Sequence, residues 1–465
     1  MNHYAILLAA GKGTRMKSKR NDVCKSAMPI LGVPMVQWVI DAAKPLGIDR
    51  FITVVGFAGE SVAKIVENES EIVWQTEQKG TAHAVKSASA LLEGEEGVTF
   101  LLPGDRPLLT SKTLMAMRNA HEANHNDLTL LTATVEDPRG YGRIIRDQNG
   151  LVDIKPESDC SLEEKAKKEV SIGVYLVDNI ELFRAMKEIR CGALEEYHLS
   201  DLVRYFLQNG KKVSTFAISD SSEAMGVNDR VELSVASRIL QKKIATRHML
   251  AGVTVEDPLS VFISPYAEIG CDTVIRPNTH ILGRSVIGEN NVIGPDTYLQ
   301  DVEIGNDNVI EYCHFAETKV GNRTTLGPYL RARKNAVIGD EAHIGNFNEL
   351  KNVTFGKGSK CAHLSYLGDA SIGEGVNVGC GSIIANYDGV NKFHSEIGDH
   401  AFIGSGTILV SPVHVEDYGF TAAGSTIYQD VPSHGMAIAR ARQVNKEGYA
   451  DVFHEKALAK KRSKK

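Results

Sequence analysis

From about residue 252 onward the chain keeps a six-residue beat that few folds can accommodate. An aliphatic residue followed by glycine recurs as Ile269-Gly270, Leu282-Gly283, Ile287-Gly288, Ile293-Gly294, Ile304-Gly305, Val320-Gly321, Leu326-Gly327, Ile338-Gly339, Ile344-Gly345, Leu367-Gly368, Ile372-Gly373, Val378-Gly379, Ile397-Gly398 and Ile403-Gly404. The step is six from 287 to 293, 320 to 326, 338 to 344, 372 to 378 and 397 to 403, and twelve from 326 to 338. Such a period marks a parallel β-helix, in which each six residues supply one short strand and one corner. The aliphatic residue faces the narrow core, and three sides close a coil. The glycine is expected at the corner, where positive φ is often needed. Coils stack only on their neighbours, so ends and sides stay exposed unless sister chains cover them.

Residues 1 to about 227 obey a different grammar. Short apolar runs at Tyr4–Ala9, Phe51–Val55, Val98–Leu102 and Leu128–Ala133 alternate with helical patterns near 35–45, 80–92 and 111–123. That alternation predicts a doubly wound α/β domain with a mostly parallel sheet covered on both faces. Its ligand belongs beyond the carboxyl ends of the strands. Between the halves, Val231, Leu233, Val235, Ile239, Leu240, Ile244 and Leu250 lie among charged residues and predict one connecting helix over 229–250. The expected division is therefore 1–228, 229–250 and 251–465.

Composition narrows the function. Hydrophobic residues at 43% and charged residues at 24% exclude a disordered chain. A net charge of −6 argues against a nucleic-acid partner. The locally basic stretch Lys456–Lys465 reads as a solvated tail. No run approaches the roughly 18 apolar residues of a membrane span, so no membrane insertion is expected. The run Ala5–Ala10 is too short for a signal-peptide core. Seven cysteines without a Cys-x-x-Cys pair indicate neither a disulfide framework nor a zinc site. A reducing cytoplasm fits that usage.

The string Leu8-Ala9-Ala10-Gly11-Lys-Gly-Thr-Arg15-Met follows the first strand directly. Its glycines let backbone N–H groups approach a phosphate, and Arg15 brings a fixed charge. There is no Gly-Lys-Ser/Thr, so it is not a P-loop. Gln75-x-x-Gln78-x-Gly80-Thr81, Leu101-Leu-Pro-Gly-Asp105, Tyr141-Gly142-Arg143 and Gly226-Val-Asn228 follow in order. Together these strings resemble the sugar-phosphate nucleotidyltransferases. That resemblance implies that Leu8, Ala9, Ala10, Gly11, Arg15, Lys25, Gln75, Gln78, Gly80, Thr81, Gly142 and Asn228 bind nucleotide and sugar phosphate. It also implies that Asp105 and Asn228 hold Mg²⁺ through hard oxygen ligands. In that chemistry a sugar-phosphate oxygen attacks the α-phosphorus of a nucleoside triphosphate and pyrophosphate leaves. Charge neutralisation and in-line positioning carry such transfers, with no protein nucleophile.

In the second half, Arg331-Ala-Arg333, Gly345-Asn-Phe, Lys351, His363-Leu-Ser-Tyr366-Leu-Gly-Asp369, Asn377, Ala385-Asn386-Tyr387-Asp-Gly-Val-Asn-Lys392-Phe and Ser405 form a second set. With them the chain resembles, over about 1–450, the bacterial family of bifunctional N-acetylglucosamine-1-phosphate uridyltransferases and glucosamine-1-phosphate N-acetyltransferases. The resemblance implies a left-handed β-helix, a homotrimer in the cytoplasm, and synthesis of UDP-N-acetylglucosamine from UTP and acetyl-coenzyme A for the cell envelope. His363 would be the general base that takes a proton from the sugar amine. Arg333 and Lys351 would hold the sugar phosphate, and Tyr366 and Asn377 would position the ring. Cys380, Asn386, Tyr387, Ser405, Ala423 and Arg440 would line the acetyl-coenzyme A side, with Cys380 standing where the family has alanine.

The first half departs from that pattern at the sugar. Cys24-Lys25 replaces Pro-Lys, and Pro103-Gly-Asp105 replaces Tyr-Gly-Asp. Pro156 and Ser171 stand where a glutamate and an asparagine are expected, and Glu157 is placed to supply the missing carboxylate by a one-residue shift. An alternative function keeps the acetyltransferase and gives the N-terminal domain another sugar phosphate or weak activity. A non-enzymatic scaffold would be expected to have lost His363 or Asp105, and both are present.

Overall fold

The computed structural model describes residues 1–19, 22–148, 150–189 and 197–464. The chain forms two compact units, Met1–Arg247 with Phe262–Pro265, and His248–Val261 with Tyr266–Lys465.

The first unit is built on a nine-stranded sheet whose main path runs Val213–Ala217, Leu128–Thr134, Glu169–Asp178, Val98–Pro103, His3–Ala9, Arg50–Val55 and Glu71–Trp74. Neighbours pair in parallel except Glu169–Asp178, which runs antiparallel to both strands beside it. A hairpin of Gly142–Asp147 and Gly150–Lys155 hangs from that antiparallel strand. Alternate residues of His3–Ala9 serve opposite faces: Ala5, Leu7 and Ala9 pack with Val36, Val39 and Phe100, while Tyr4 and Ile6 pack with Val85 and Leu182. Both faces are buried, as near-continuous apolar strands require. Helices form at Met35–Ala43 and Ser111–Ala123, and the third expected helix breaks at Ala88 into Thr81–Ser87 and Ser89–Leu92. The connecting helix runs Arg230–Leu250.

The second unit is a parallel β-helix. One side stacks Ile275, Ile293, Leu326 (through Ile310), Ile344, Cys361, Val378, Ile403 and Thr421 in register. Another stacks Ile281, Leu299, Phe315, Ala332, Leu350 and Leu367. These side chains are buried and form the core. Successive partners lie 16 to 18 residues apart except from Val378 to Ile403, where the chain takes 25. The excess is a loop pinned by a bridge between Tyr387 and Lys392. One corner is wired by polar side chains: Asn308 Nδ2 donates to Asn291 Oδ1 (3.0 Å) and the Gly321 carbonyl (3.0 Å), and Asn308 Oδ1 accepts from the Thr324 amide (2.8 Å).

The corner chemistry differs from expectation. Positive φ occurs at Gly283, Gly294 and Gly327, but most left-handed corners carry residues such as Asp272, Asn290, Asp307 and Glu341. The glycines after the aliphatic residues are needed for a different reason. A Cβ on Gly305 would stand 2.6 Å from the Gly321 carbonyl oxygen, and one on Gly288 would stand 2.7 Å from that of Gly305. They let coils stack. The basic tail lies largely within an exposed helix, Tyr449–Arg462, none of whose residues is buried. Among the described residues no helix is long and apolar enough to cross a membrane.

Candidate active sites

In the first unit the strands His3–Ala9 and Val98–Pro103 end side by side, with Leu8 opposite Pro103. The loops beyond them bring four predicted residues together. Gly13 has φ 58°, and a Cβ there would come 2.8 Å from Lys25 Cβ, so glycine lets Lys25 cross the loop. Lys25 Nζ donates to Asp105 Oδ2 (2.5 Å) and Asn228 Oδ1 (3.2 Å). Arg15 Nη2 donates to the same Asn228 oxygen (2.8 Å). The Val227 amide donates to the Asp105 carbonyl (2.9 Å), which fixes Asn228 beside the strand end.

A cavity of about 610 Å³ opens next to this cluster. Leu8, Ala10, Gly11, Lys25, Gln75, Gln78, Gly80, Thr81, Asp105 and Gly142 line it. Ala9 does not; its side chain is buried in the core beneath. Gly80 has φ 98° and lies on Tyr197, where a Cβ would meet the Tyr197 nitrogen at 2.9 Å. Gln75, buried, donates to the Gly80 carbonyl (3.2 Å) and shares a hydrogen bond with His83 Nδ1 (2.9 Å), so the base-side loop is held rigidly.

The sugar-side wall includes Pro103, Gly140, Tyr141, Pro156, Ser171 and Tyr175. Burial pushes the Tyr175 phenol up to about 12, so it stays protonated as a donor. Glu157 does not take the place of the missing carboxylate. Its Oε2 accepts from the Gly140 amide (2.7 Å) and its Oε1 from buried Arg143 (3.3 Å), so it braces the loop from behind. Pro156 ends the strand Gly150–Lys155 and starts a 3₁₀ turn, which turns Glu157 away from the cavity wall.

In the second unit Arg333, Lys351 and Gly368 occupy one position on three successive coils. Arg333 donates twice to Glu349 Oε1 (2.9 and 2.7 Å). Lys351, 8% exposed, lies 3.6 Å from Asp369 Oδ2. Asp369 also accepts from Asn352 (2.8 Å) and Asn386 (2.5 Å). These bonds and Lys351 hold the Asp369 carboxyl below its ordinary pKa against the opposing effect of burial. Lys351 donates toward the Lys392 amine, which holds Lys351 above its ordinary value and pushes Lys392 below its own; Asp369 adds to the former. Exposed His363 lies one coil above Asn346 and meets its Oδ1 through Nδ1 (3.3 Å), leaving Nε2 outward. Asn377 is half-buried on the next strand. Ser405, Ala423 and Arg440 follow one another along an edge: the Gly424 amide donates to the Ser405 carbonyl (2.8 Å), and Arg440 donates to that of Ala423 (2.6 Å). Cys380 joins the same edge through the Gly406 amide (2.7 Å). Glu349, Asn346 and Asp369 are the supporting residues that sequence reasoning assigned no role; only the coil spacing of 16 to 18 residues links each to its partner.

Residues 4–223 match the Nucleotidyl transferase family, and residues 266–301 match Bacterial transferase hexapeptide (six repeats). The chain is 46% identical over 453 residues to the Bifunctional protein GlmU of Geobacillus sp. (strain WCH70), covering 97% of this chain and 98% of that protein. The chain belongs to the bifunctional GlmU family. The GlmU proteins of Bacillus velezensis (46% identity; 97% and 99% covered) and Enterococcus faecalis (45%; 97% and 98%) are similar over the same extent. The crystal structure of UDP-glucose pyrophosphorylase complexed with UDP-glucose covers 52% of this chain and all of its own, at a TM-score of 0.43 and 20% identity, a likeness too remote to bear on function. As a GlmU protein the chain is a bifunctional transferase, with the nucleotidyltransferase fold in its first half and the left-handed hexapeptide β-helix in its second.

Proposed function

We propose that residues 1–228 transfer uridylyl from UTP to N-acetylglucosamine-1-phosphate, that 251–465 acetylate glucosamine-1-phosphate, and that 229–250 only connects them. The observation that carries the first half is the convergence of Asp105 Oδ2 and Asn228 Oδ1 on one ammonium, at 2.5 and 3.2 Å, beside the cavity. Two hard oxygens facing one cation suit Mg²⁺, which keeps most of its shell for water and phosphate oxygens. Bound there, Mg²⁺ supplies charge neutralisation on the triphosphate. Lys25, released from Asp105, and Arg15 then face phosphate oxygens. The sugar-phosphate oxygen bonds to the α-phosphorus as the bond to pyrophosphate breaks. Gln75, Gln78, Gly80 and Thr81 hold the base.

In the second half His363 Nε2 takes the proton lost by the sugar amine as the amine carbon–nitrogen bond forms and the coenzyme A thiolate leaves. Asn346 on Nδ1 orients the ring. Arg333 and Lys351 bind the sugar phosphate, and Tyr366 and Asn377 the ring. Cys380, Asn386, Tyr387, Ser405, Ala423 and Arg440 serve acetyl-coenzyme A. Most of that last group lies exposed on a single chain, and a column of Tyr312, Tyr329 and Phe347 is 38%, 55% and 59% exposed. Both features support a cytoplasmic homotrimer in which sister chains complete the donor site; a monomer mass by light scattering refutes it. The sugar wall, with Pro103, Pro156 and Ser171, favours a second reading: looser choice of sugar phosphate. One assay separates the readings: purified protein with glucosamine-1-phosphate, acetyl-coenzyme A, UTP and Mg²⁺, scored for both products, then repeated with glucose-1-phosphate. Acetylation without uridylyl transfer refutes the first half of the proposal.

A further inference from the structure

Arg106 follows Asp105 and lines the nucleotide cavity, yet no motif gives it a role. Its guanidinium lies against Gly226, where a Cβ would stand 3.5 Å from Arg106 Cζ, and 6.0 Å from the centre of the Tyr141 ring. One nitrogen, Nη1, donates to the Ala224 carbonyl. Nε is closed off from solvent and has no hydrogen-bond partner among the described residues. A guanidinium carries five N–H donors, so much of this one's capacity is unspent. Enclosure by protein pushes its pKa below the ordinary value, with Asp105 opposing that shift. A cation so enclosed is costly without an anion to compensate it.

The other cations at the site are already engaged. Lys25 is bound to Asp105 and Asn228, and Arg15 to Asn228. Around Arg106 the wall includes Pro103, Gly142 and Pro156, which offer no charged side chain. A ligand entering here with a doubly charged end meets one unspent cation. We propose that Arg106 binds the phosphate of the sugar 1-phosphate acceptor and positions it for attack on the nucleotide. The planar fork of arginine matches phosphate oxygens, and its fixed charge persists at every physiological pH. The Asp105–Arg106 pair then places the metal-binding carboxylate and the acceptor's phosphate clamp on adjacent residues. This inference rests on the uridylyl-transfer reading above.

The competing account is structural: Arg106 only ties the Ala224 carbonyl to the Tyr141 loop. Arg106→Gln and Arg106→Lys separate the two. Initial rates of UDP-sugar formation are measured with UTP and N-acetylglucosamine-1-phosphate each varied, with acetyl transfer on the same preparation as the control for folding. Arg106→Gln is expected to raise KM for the sugar phosphate about 10- to 100-fold, to leave KM for UTP within about twofold, and to be partly rescued by Arg106→Lys. A sugar-phosphate KM that stays put, or both KM values rising together with a lower Tm and no rescue by lysine, overturns the proposal alone. Wild-type protein that turns over no sugar 1-phosphate overturns the uridylyl reading and this inference with it.

Discussion

Replacing Asp369 by asparagine removes one charge from the centre of the acetyl-transfer constellation while keeping its shape. One oxygen remains for Asn352, but an amide now faces Asn386 and Lys351. The Lys351–Asp369 side chains are only 10% and 12% exposed and 3.6 Å apart. At an effective dielectric constant near 20 that separation corresponds to about 4–5 kcal/mol of attraction. Losing the bond from Asn386 adds to the loss, and relieving the desolvation of Asp369 offsets part of it. Breaking a buried pair costs about 3–5 kcal/mol, and the long N···O distance favours the lower end, so about 3 kcal/mol is expected. The carboxyl's pKa is depressed in the folded state. Its contribution is therefore complete above the unfolded value, about 3.9, and fades as pH falls through the lower folded value; wild type and variant converge in acid. Both tryptophans, Trp38 and Trp74, lie in the first half, so fluorescence does not follow this site. Hydrogen exchange over Tyr366–Ile372, denaturation by circular dichroism, and KM for glucosamine-1-phosphate do. The KM is expected to rise at least about tenfold as Lys351 loses its anchor. A loss under about 1 kcal/mol at pH 7 with an unchanged KM refutes the view that Asp369 anchors the site.

His363→Ala is expected to lower acetyl transfer by about 10²- to 10⁴-fold with uridylyl transfer intact; equal loss of both in parallel rate assays counts against a general-base role. Asp105→Ala should abolish Mg²⁺-dependent nucleotidyl transfer and spare acetylation, whereas full activity with a lowered Tm would reduce Asp105 to a structural residue. Asn308→Ala leaves the Thr324 amide and Gly321 carbonyl without their partners in a dry corner, at a cost of about 2–4 kcal/mol, read as a shift in the denaturant midpoint of the β-helix. Asp220, bonded to Lys243 and capped by Ser222, has its carboxyl held down at about 2. With the pair near half exposed, Asp220→Asn should cost under about 1 kcal/mol at pH 7, and the difference from wild type should vanish as pH falls from about 4 toward 2.

The β-helix was legible because inward-facing aliphatics repeat at every strand, so Ile287, Ile293 and Ile304 announce their own burial. The reason for the glycines was not legible: Gly288 and Gly305 are dictated by backbone in the next coil, 17 residues away, which a six-residue motif does not reveal. In the first unit, strands and helices followed from local runs, but the antiparallel insertion of Glu169–Asp178 between two parallel neighbours is a nonlocal choice. Asp105, Asn228, Lys25 and Arg15 were readable as residue types, whereas their meeting at one point required the Val227–Asp105 backbone bond. Glu157 shows the opposite failure. A one-residue shift in sequence was a plausible repair, but the turn started by Pro156 spent its carboxylate on Gly140 and Arg143.

The single 25-residue return between Val378 and Ile403 carries Asn386, Tyr387 and Lys392 out of the stack. Closing a loop costs entropy that grows only with the logarithm of its length. Lengthening the usual return of 17 residues to 25 adds about 0.3 kcal/mol, less than the thermal energy RT of about 0.6 kcal/mol. Meanwhile Val378 and Ile403 still stack in register, so the coils above and below need not adjust. A rigid ladder of this kind can therefore be given a reactive excursion at almost any rung for less than one quantum of thermal agitation, and its chemistry can change while its frame stays the same.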